Sequence, residues 1–222
     1  MTSNEKPVDY TKDLQRRLRL YAVTDRSWIG VQTLLEQIES ALIGGASVIQ
    51  LREKDLERPL FLREAQEVKR LCRRFDVPFL VNDDVEIALE SGADGVHLGQ
   101  TDSSPLEARR RLGANKIIGV SAHSVAEALA AEKAGANYPG VGALFGSNTK
   151  SNTIVVTPET LAQICEAVSI PAIAIGGVNE DNMETLSGSG IVGVAVVSAI
   201  FAQPDIELAA MALRTKSELL FS

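Results

Sequence analysis

Arg52 and Lys54 are cations separated by one residue, and Asp83 and Asp102 are carboxylates lying just beyond two short apolar runs. If the chain stays extended past Leu51, period-two alternation puts Gln50, Arg52 and Lys54 on one side and Leu51 and Glu53 on the other. A forked guanidinium beside a compact ammonium suits a diphosphate. Two carboxylates brought together repel unless a cation stands between them or one is protonated. Magnesium, which takes one or two carboxylates and fills its remaining positions with phosphate oxygens or water, relieves that repulsion. Each feature also has a plainer reading. Asp83 and Asp102 would then be helix caps, and residues 52–58 a solvated charge run.

Other polar residues follow the same placement. Gly146, Ser147, Asn148, Thr149 and Lys150 offer backbone amides, two hydroxyls and an ammonium group. Their spacing is not that of a P-loop, so they read as a lid over phosphate. Gly176–Gly177 and Ser198 follow the last two apolar runs, where backbone amides hold a monophosphate in many enzymes of repeated strand–helix units. His97 reads as a structural histidine inside an apolar run, and His123 as the neighbour of a helix start. Neither has a partner for hydrolysis of the serine–histidine–aspartate kind.

These residues need a scaffold that brings distant strand ends to one place. Short runs rich in Val and Ile occur at 18–23, 47–51, 79–81, 95–98, 116–120, 140–144, 172–175 and 193–197. Runs without polar alternation fit strands buried on both faces, as in parallel sheets. Amphipathic segments lie between them, at 31–43, 60–75, 85–91, 105–112, 125–134, 158–168, 181–186 and 206–213. Ser103–Ser104 before Pro105, Ser124 before Val125 and Thr157 before Pro158 are capping signals, and Ser124 with Glu127 spells a capping box. Glycines such as Gly44, Gly92, Gly113 and Gly135 end the helical segments. Eight strand–helix units with little between them predict a single closed (β/α)8 barrel, a TIM barrel, spanning 18–222 behind a polar lead-in at 1–17. In such a barrel every strand's C-terminal end faces one mouth, which gathers the polar residues above.

Length and composition agree with this expectation. The chain has 222 residues, 45% hydrophobic and 23% charged, ordinary values for one globular α/β unit. A net charge of −7 argues against nucleic acid as a partner, yet leaves room for a local cationic pocket. No apolar stretch reaches the roughly 18 residues of a membrane helix, so a cytoplasmic protein with no membrane partner is expected. A homo-oligomer remains compatible with the sequence. Cys72 and Cys165 are widely separated and read as reduced, buried thiols.

The ordered set of segments resembles a known family. It comprises Gln-Leu-Arg-Glu-Lys at 50–54, Val-Asn-Asp at 81–83 and Gly-Ala-Asp-Gly-Val-His-Leu-Gly-Gln at 92–100 with Asp102 behind it. It continues with Gly-Val-Ser at 119–121, Gly-Val-Gly at 140–142 leading to Thr149 and Lys150, Ala-Ile-Gly-Gly-Val at 174–178 and Val-Ala-Val-Val-Ser-Ala-Ile at 194–200. Together they look like thiamine-phosphate synthase, from about Leu20 to about Phe201. The resemblance implies two small-molecule substrates, hydroxymethylpyrimidine diphosphate and hydroxyethylthiazole phosphate, joined with loss of pyrophosphate through a pyrimidinylmethyl cation. It implies Mg2+ as cofactor, bound by Asp83 and Asp102. Arg52, Lys54, Asn82, Ser121 and Lys150 would hold the diphosphate, with Gln50 near the pyrimidine. Ser147, Thr149, Gly177, Val197 and Ser198 would hold the thiazole phosphate. Three departures from the family's pattern stand out: Ser147 for threonine, Asp84 for arginine and Val192 for an acidic residue. The related thiazole tautomerases share this barrel, and on that alternative His123 would be a general acid/base without a metal.

Overall fold

A strand buried on both faces sends alternate side chains into two different cores, and that alternation organises the molecule. The computed structural model describes residues 9–146 and 155–221. Its eight parallel strands are β1 (Leu20–Val23), β2 (Val48–Leu51), β3 (Phe79–Asn82), β4 (Gly95–Leu98), β5 (Ile117–Ala122), β6 (Tyr138–Val141), β7 (Ile173–Ile175) and β8 (Gly193–Val196). Each pairs with the next, and β8 pairs with β1 through Leu20↔Val194 and Ala22↔Val196, which closes the barrel. The helices are α1 (Leu14–Arg17), α2 (Leu34–Ile43), α3 (Arg58–Arg74), α4 (Val85–Ser91), α5 (Pro105–Leu112), α6 (Val125–Lys133), α7 (Pro158–Ala167), α8 (Ser198–Phe201) and α9 (Ile206–Leu220).

One strand parity packs against the helices. Leu20, Ile49, Leu51, Val81, Leu98 and Ile118 join Ile38, Val68, Ile87, Leu161 and Leu213 in that outer core. The other parity fills the barrel: Tyr21, Val48, Leu80, Ile117, Tyr138 and Ile173 form a separate cluster with Tyr10, Leu14 and Leu18. Tyr10 and Leu14 thus close the barrel floor with segments that the sequence pattern treats as lead-in. Leu14 is 5% exposed. Leu14→Ala is expected to cost about 2–5 kcal/mol, the usual range for a buried leucine truncated to alanine, measurable as a lower urea midpoint with an unchanged slope.

Along the barrel interior each strand turns polar toward its C-terminal end. Val48 is followed two residues on by Gln50, Leu80 by Asn82, and Ile117 by Gly119 and Ser121. The apolar lower layer supports a polar upper layer, and the mouth lies at the end where barrel enzymes place their chemistry.

Capping fixes most helix starts. Asp84, Ser104, Thr157 and Asp205 each accept a backbone N–H from the first turn, and Thr33 forms a complete capping box with Glu36. Four local expectations need correction. Strand six covers Tyr138–Val141 rather than 140–144, with Pro139 inside it. The segment read as helical at 181–186 is a single 3-10 turn, Met183–Leu186. The helix expected from 31 begins at Leu34, because Thr33 caps it. Ser124 caps α6, but the Glu127 carboxylate accepts from the His123 backbone N–H and not from Ser124, so that capping box is only half made. Val192, where the family's acidic residue is absent, is buried, and its carbonyl accepts from the Arg19 guanidinium at 2.7 Å. Cys72 and Cys165 are free thiols, but only Cys72 is fully buried; partial burial pushes the Cys165 thiol up to about 11. No helix among the described residues is long and apolar enough to cross a membrane.

Candidate active site

The loops after β1 and β2 make the cationic wall. Strand β2 ends at Leu51, so Arg52 and Lys54 do not continue an extended strand. Instead Arg52 is anchored from both ends. Its backbone N–H donates to Thr24 Oγ1 at 3.0 Å, and its guanidinium donates to Asp25 Oδ2 at 3.2 Å. Burial raises the Asp25 carboxyl, but hydrogen bonds from Ser27 and the charges of Arg52 and Lys54 together hold it below its ordinary range. Asp25 therefore stays ionised and fixes Arg52, whose side chain is 14% exposed. Arg52 and Lys54 line one cavity of about 370 Å³ with Asp25, Arg26, Glu53 and Leu56. Glu53 is turned inward to Arg26 at 2.8 Å, with its side chain 3% exposed. The plainer reading as a solvated charge run fits Lys54, Asp55 and Glu57, which are exposed, but not Arg52 or Glu53.

The carboxylates stand after β3 and β4. Asp83 has φ 63°, a left-handed setting that costs a non-glycine residue roughly 1 kcal/mol. Its backbone N–H donates to the His97 carbonyl at 2.8 Å across the two strands. It does not cap α4; Asp84 does, accepting from Ile87 N at 2.8 Å. Asp102 accepts from Gly99 N at 2.7 Å, and Ser104 caps α5 in its place. Both residues are exposed, and neither carboxylate is consumed by a helix end. Among the described residues, no three or more His, Cys, Asp or Glu side chains form a metal cage. Two exposed hard-oxygen donors are nonetheless the set that fits magnesium, whose remaining positions water and phosphate oxygens fill.

Between these walls runs a polar network inside the barrel. Gln50 is 3% exposed; it accepts from the Tyr21 hydroxyl at 2.8 Å and donates to Asn82 Oδ1 at 2.6 Å. Asn82 Nδ2 donates to the Asp83 carboxylate. The Tyr138 hydroxyl donates to that of Tyr21 at 2.9 Å, and His97 joins Tyr138 through Nδ1 at 2.9 Å and Ser121 through Nε2 at 3.0 Å. His97 thus has the structural partners expected of a buried histidine. His123, just before the cap of α6, is held at 2.9 Å by Glu127 in the first turn of that helix.

On the far side, Gly176 and Gly177 both have positive φ after β7, and Val197 precedes α8, which Ser198 opens. Ser198 is exposed and Val197 half-buried. Ser147, Thr149 and Lys150 lie outside the described residues. Of the expected set, Gln50, Asn82, Asp83 and Ser121 are joined in one hydrogen-bonded network, and Arg52 and Lys54 share a cavity. Gly177, Val197 and Ser198 follow the neighbouring strands β7 and β8. Sequence reasoning placed Thr24–Asp25 at the end of the first strand without giving Asp25 a role, and did not select Tyr21 or Tyr138. Asp25 carried a usable signal, since it lies just past the end of β1, as the other mouth residues lie past theirs.

Comparisons with known proteins bear on this arrangement. A family model described as thiamine monophosphate synthase matches residues 20–200. A thiamine-phosphate synthase of Ruminiclostridium cellulolyticum is 45% identical over 203 residues, covering 91% of this chain and 93% of that protein. Another from Clostridium beijerinckii is 45% identical over 197 residues, covering 89% of this chain and 94% of its own. Among solved structures, the thiamine phosphate pyrophosphorylase of Pyrococcus furiosus superimposes with a TM-score of 0.86 at 37% identity, covering 94% of this chain and 100% of that one. A 3-hexulose-6-phosphate synthase shares the fold alone, with a TM-score of 0.62 at 19% identity.

Proposed function

The chain belongs to the thiamine monophosphate synthase family and is a transferase, and from that membership we propose that it joins hydroxymethylpyrimidine diphosphate to hydroxyethylthiazole phosphate with magnesium. The bond between the pyrimidine methylene carbon and the diphosphate oxygen breaks, its electron pair leaving with pyrophosphate. The thiazole nitrogen then supplies the pair for the new carbon–nitrogen bond, giving thiamine phosphate.

The observation that carries this reading is the opposition of charges around one polar mouth. Arg52, fixed by Asp25, and Lys54 line a cavity after β1 and β2, while the uncapped carboxylates of Asp83 and Asp102 follow β3 and β4. Asp83 and Asp102 would hold magnesium, which when bound supplies positive charge to the diphosphate oxygens. Arg52 and Lys54 add charge that stabilises the leaving group most when its bond to carbon is broken, which is where electrostatic catalysis acts. Asn82 and Ser121, on the interior parity of their strands, would orient the diphosphate end, and Gln50 the pyrimidine. Lys150 is proposed to bind the diphosphate, and Ser147 and Thr149 the thiazole phosphate. Gly177 and Ser198 would offer backbone amides to the thiazole phosphate, with Val197 beside them. No side chain need act as a nucleophile, because positioning both reactants and excluding water is sufficient work.

Chelation tests the metal. Activity should vanish in excess chelator and return on adding Mg2+. Full activity with the metal removed would refute the role given to Asp83 and Asp102.

A further inference from the structure

The network in the barrel has only one consistent direction, and Asp83 sets it. Asn82 faces the Asp83 carboxylate with Nδ2, the donor end of its amide. Asn82 Oδ1 then faces Gln50, which must donate through Nε2, and Gln50 Oε1 must accept from Tyr21. Tyr21 has a single hydrogen, now committed, so it accepts from Tyr138. Tyr138 has likewise committed its hydrogen and must accept from His97 Nδ1. Burial raises both phenols far above their ordinary value, so each keeps its hydrogen. A neutral imidazole with its hydrogen on Nδ1 carries a lone pair on Nε2, and that lone pair takes the hydrogen of Ser121 Oγ at 3.0 Å.

We propose that Tyr138 is a positioning residue that locks His97 in its Nδ1–H tautomer and thereby keeps the Ser121 hydroxyl hydrogen turned toward His97. A phosphate oxygen reaching Ser121 can use that hydrogen only by drawing it off Nε2. The network therefore weakens the grip of Ser121 on diphosphate and eases release of pyrophosphate. This last step rests on the reading of Ser121 as a diphosphate contact; the tautomer does not.

Removing the Tyr138 hydroxyl frees His97 to carry its hydrogen on Nε2, donate to Ser121 and release the Ser121 hydrogen to a ligand. Tyr138→Phe should then bind pyrophosphate more tightly, whereas mere damage to packing would loosen binding. The experiment uses a His123→Gln background, so that His97 gives the only histidine signals of the chain's two histidines. Nitrogen-15 NMR is recorded well above the ordinary histidine pKa of about 6.5. The expected result is Nδ1–H in the parent and Nε2–H in Tyr138→Phe. Tyr21→Phe, which removes the acceptor of the Tyr138 hydrogen and lets that hydrogen turn to Nδ1, should give the same switch if Tyr138→Phe does not fold. Inhibition by pyrophosphate with Mg2+ should tighten by about tenfold or more in Tyr138→Phe, the effect of roughly one hydrogen bond to a charged group. It should be equal in Ser121→Ala and the Ser121→Ala/Tyr138→Phe pair. Nε2–H in the parent, or Nδ1–H retained in both phenylalanine variants, overturns the tautomer lock. A tautomer switch without tighter pyrophosphate binding overturns the role in release. A parent protein that ignores pyrophosphate altogether would count against the proposed function while the NMR result still decides the lock.

Discussion

Asp102→Ala is expected to lower magnesium-supported turnover by about a thousandfold, on the scale of losing a group that stabilises transition-state charge, while the barrel stays folded. The two halves of that expectation come from different observations. Asp102 is exposed, and its carboxylate accepts one local hydrogen bond, from Gly99 N at 2.7 Å. Losing such a bond costs about 1 kcal/mol, which in a protein of this size lowers Tm by roughly 2–4 °C. The helix behind it keeps its own cap at Ser104. The activity loss follows from the charge. With one carboxylate gone, the diphosphate would meet a weakly held metal. Steady-state kinetics across a magnesium titration, read beside a thermal melt, check both halves. Wild-type turnover in the variant would remove Asp102 from the metal site, and an unfolded variant would show that the residue holds the loop together.

Gly177→Ala should damage stability and thiazole phosphate affinity together. Gly177 has φ +73°, and a Cβ there would lie 2.4 Å from the Phe145 carbonyl oxygen and 2.8 Å from Phe145 Cβ. The carbonyl is backbone and cannot swing aside as a flexible side chain would. The left-handed setting costs an alanine about 1–2 kcal/mol and forced overpacking about 1–3 kcal/mol more. A total of roughly 2–5 kcal/mol is expected, measured by urea denaturation. The segment is also tied by Phe145 N to the Gly176 carbonyl and by Asn182 Nδ2 to the Gly177 carbonyl. Any shift that relieves the clash therefore moves amides proposed to hold phosphate, and KM for the thiazole phosphate should rise at least tenfold, about one hydrogen bond to a charged group. Unchanged stability would mean that the backbone can relax around the methyl group.

The barrel was legible because its signals are local. Uninterrupted Val and Ile runs marked the strands, and Ser104, Thr157 and the helix-ending glycines marked the segments between. The count of eight then implied closure. The start of strand six escaped because Pro139 sits inside it, and proline normally argues against a strand interior. Missing its first residues meant missing Tyr138. Much of the mouth was also legible, since each strand end carried its polar residue in plain order. The pairings were not. Asp25 with Arg52, Tyr21 with Gln50, and Tyr138 with Tyr21 join residues 27, 29 and 117 positions apart, and nothing in the spacing of either partner specifies the other. Tyr10 and Leu14 are a similar case. Their polar surroundings read as a solvated lead-in, and only the open floor of a closed barrel gives them something to bury against.

The most direct test supplies the purified protein with hydroxymethylpyrimidine diphosphate, hydroxyethylthiazole phosphate and Mg2+ and follows the phosphorus-31 spectrum. Thiamine phosphate and pyrophosphate should form in equal amounts, and only when all three are present. Turnover of the thiazole phosphate alone, or pyrophosphate released without thiamine phosphate, would contradict the account.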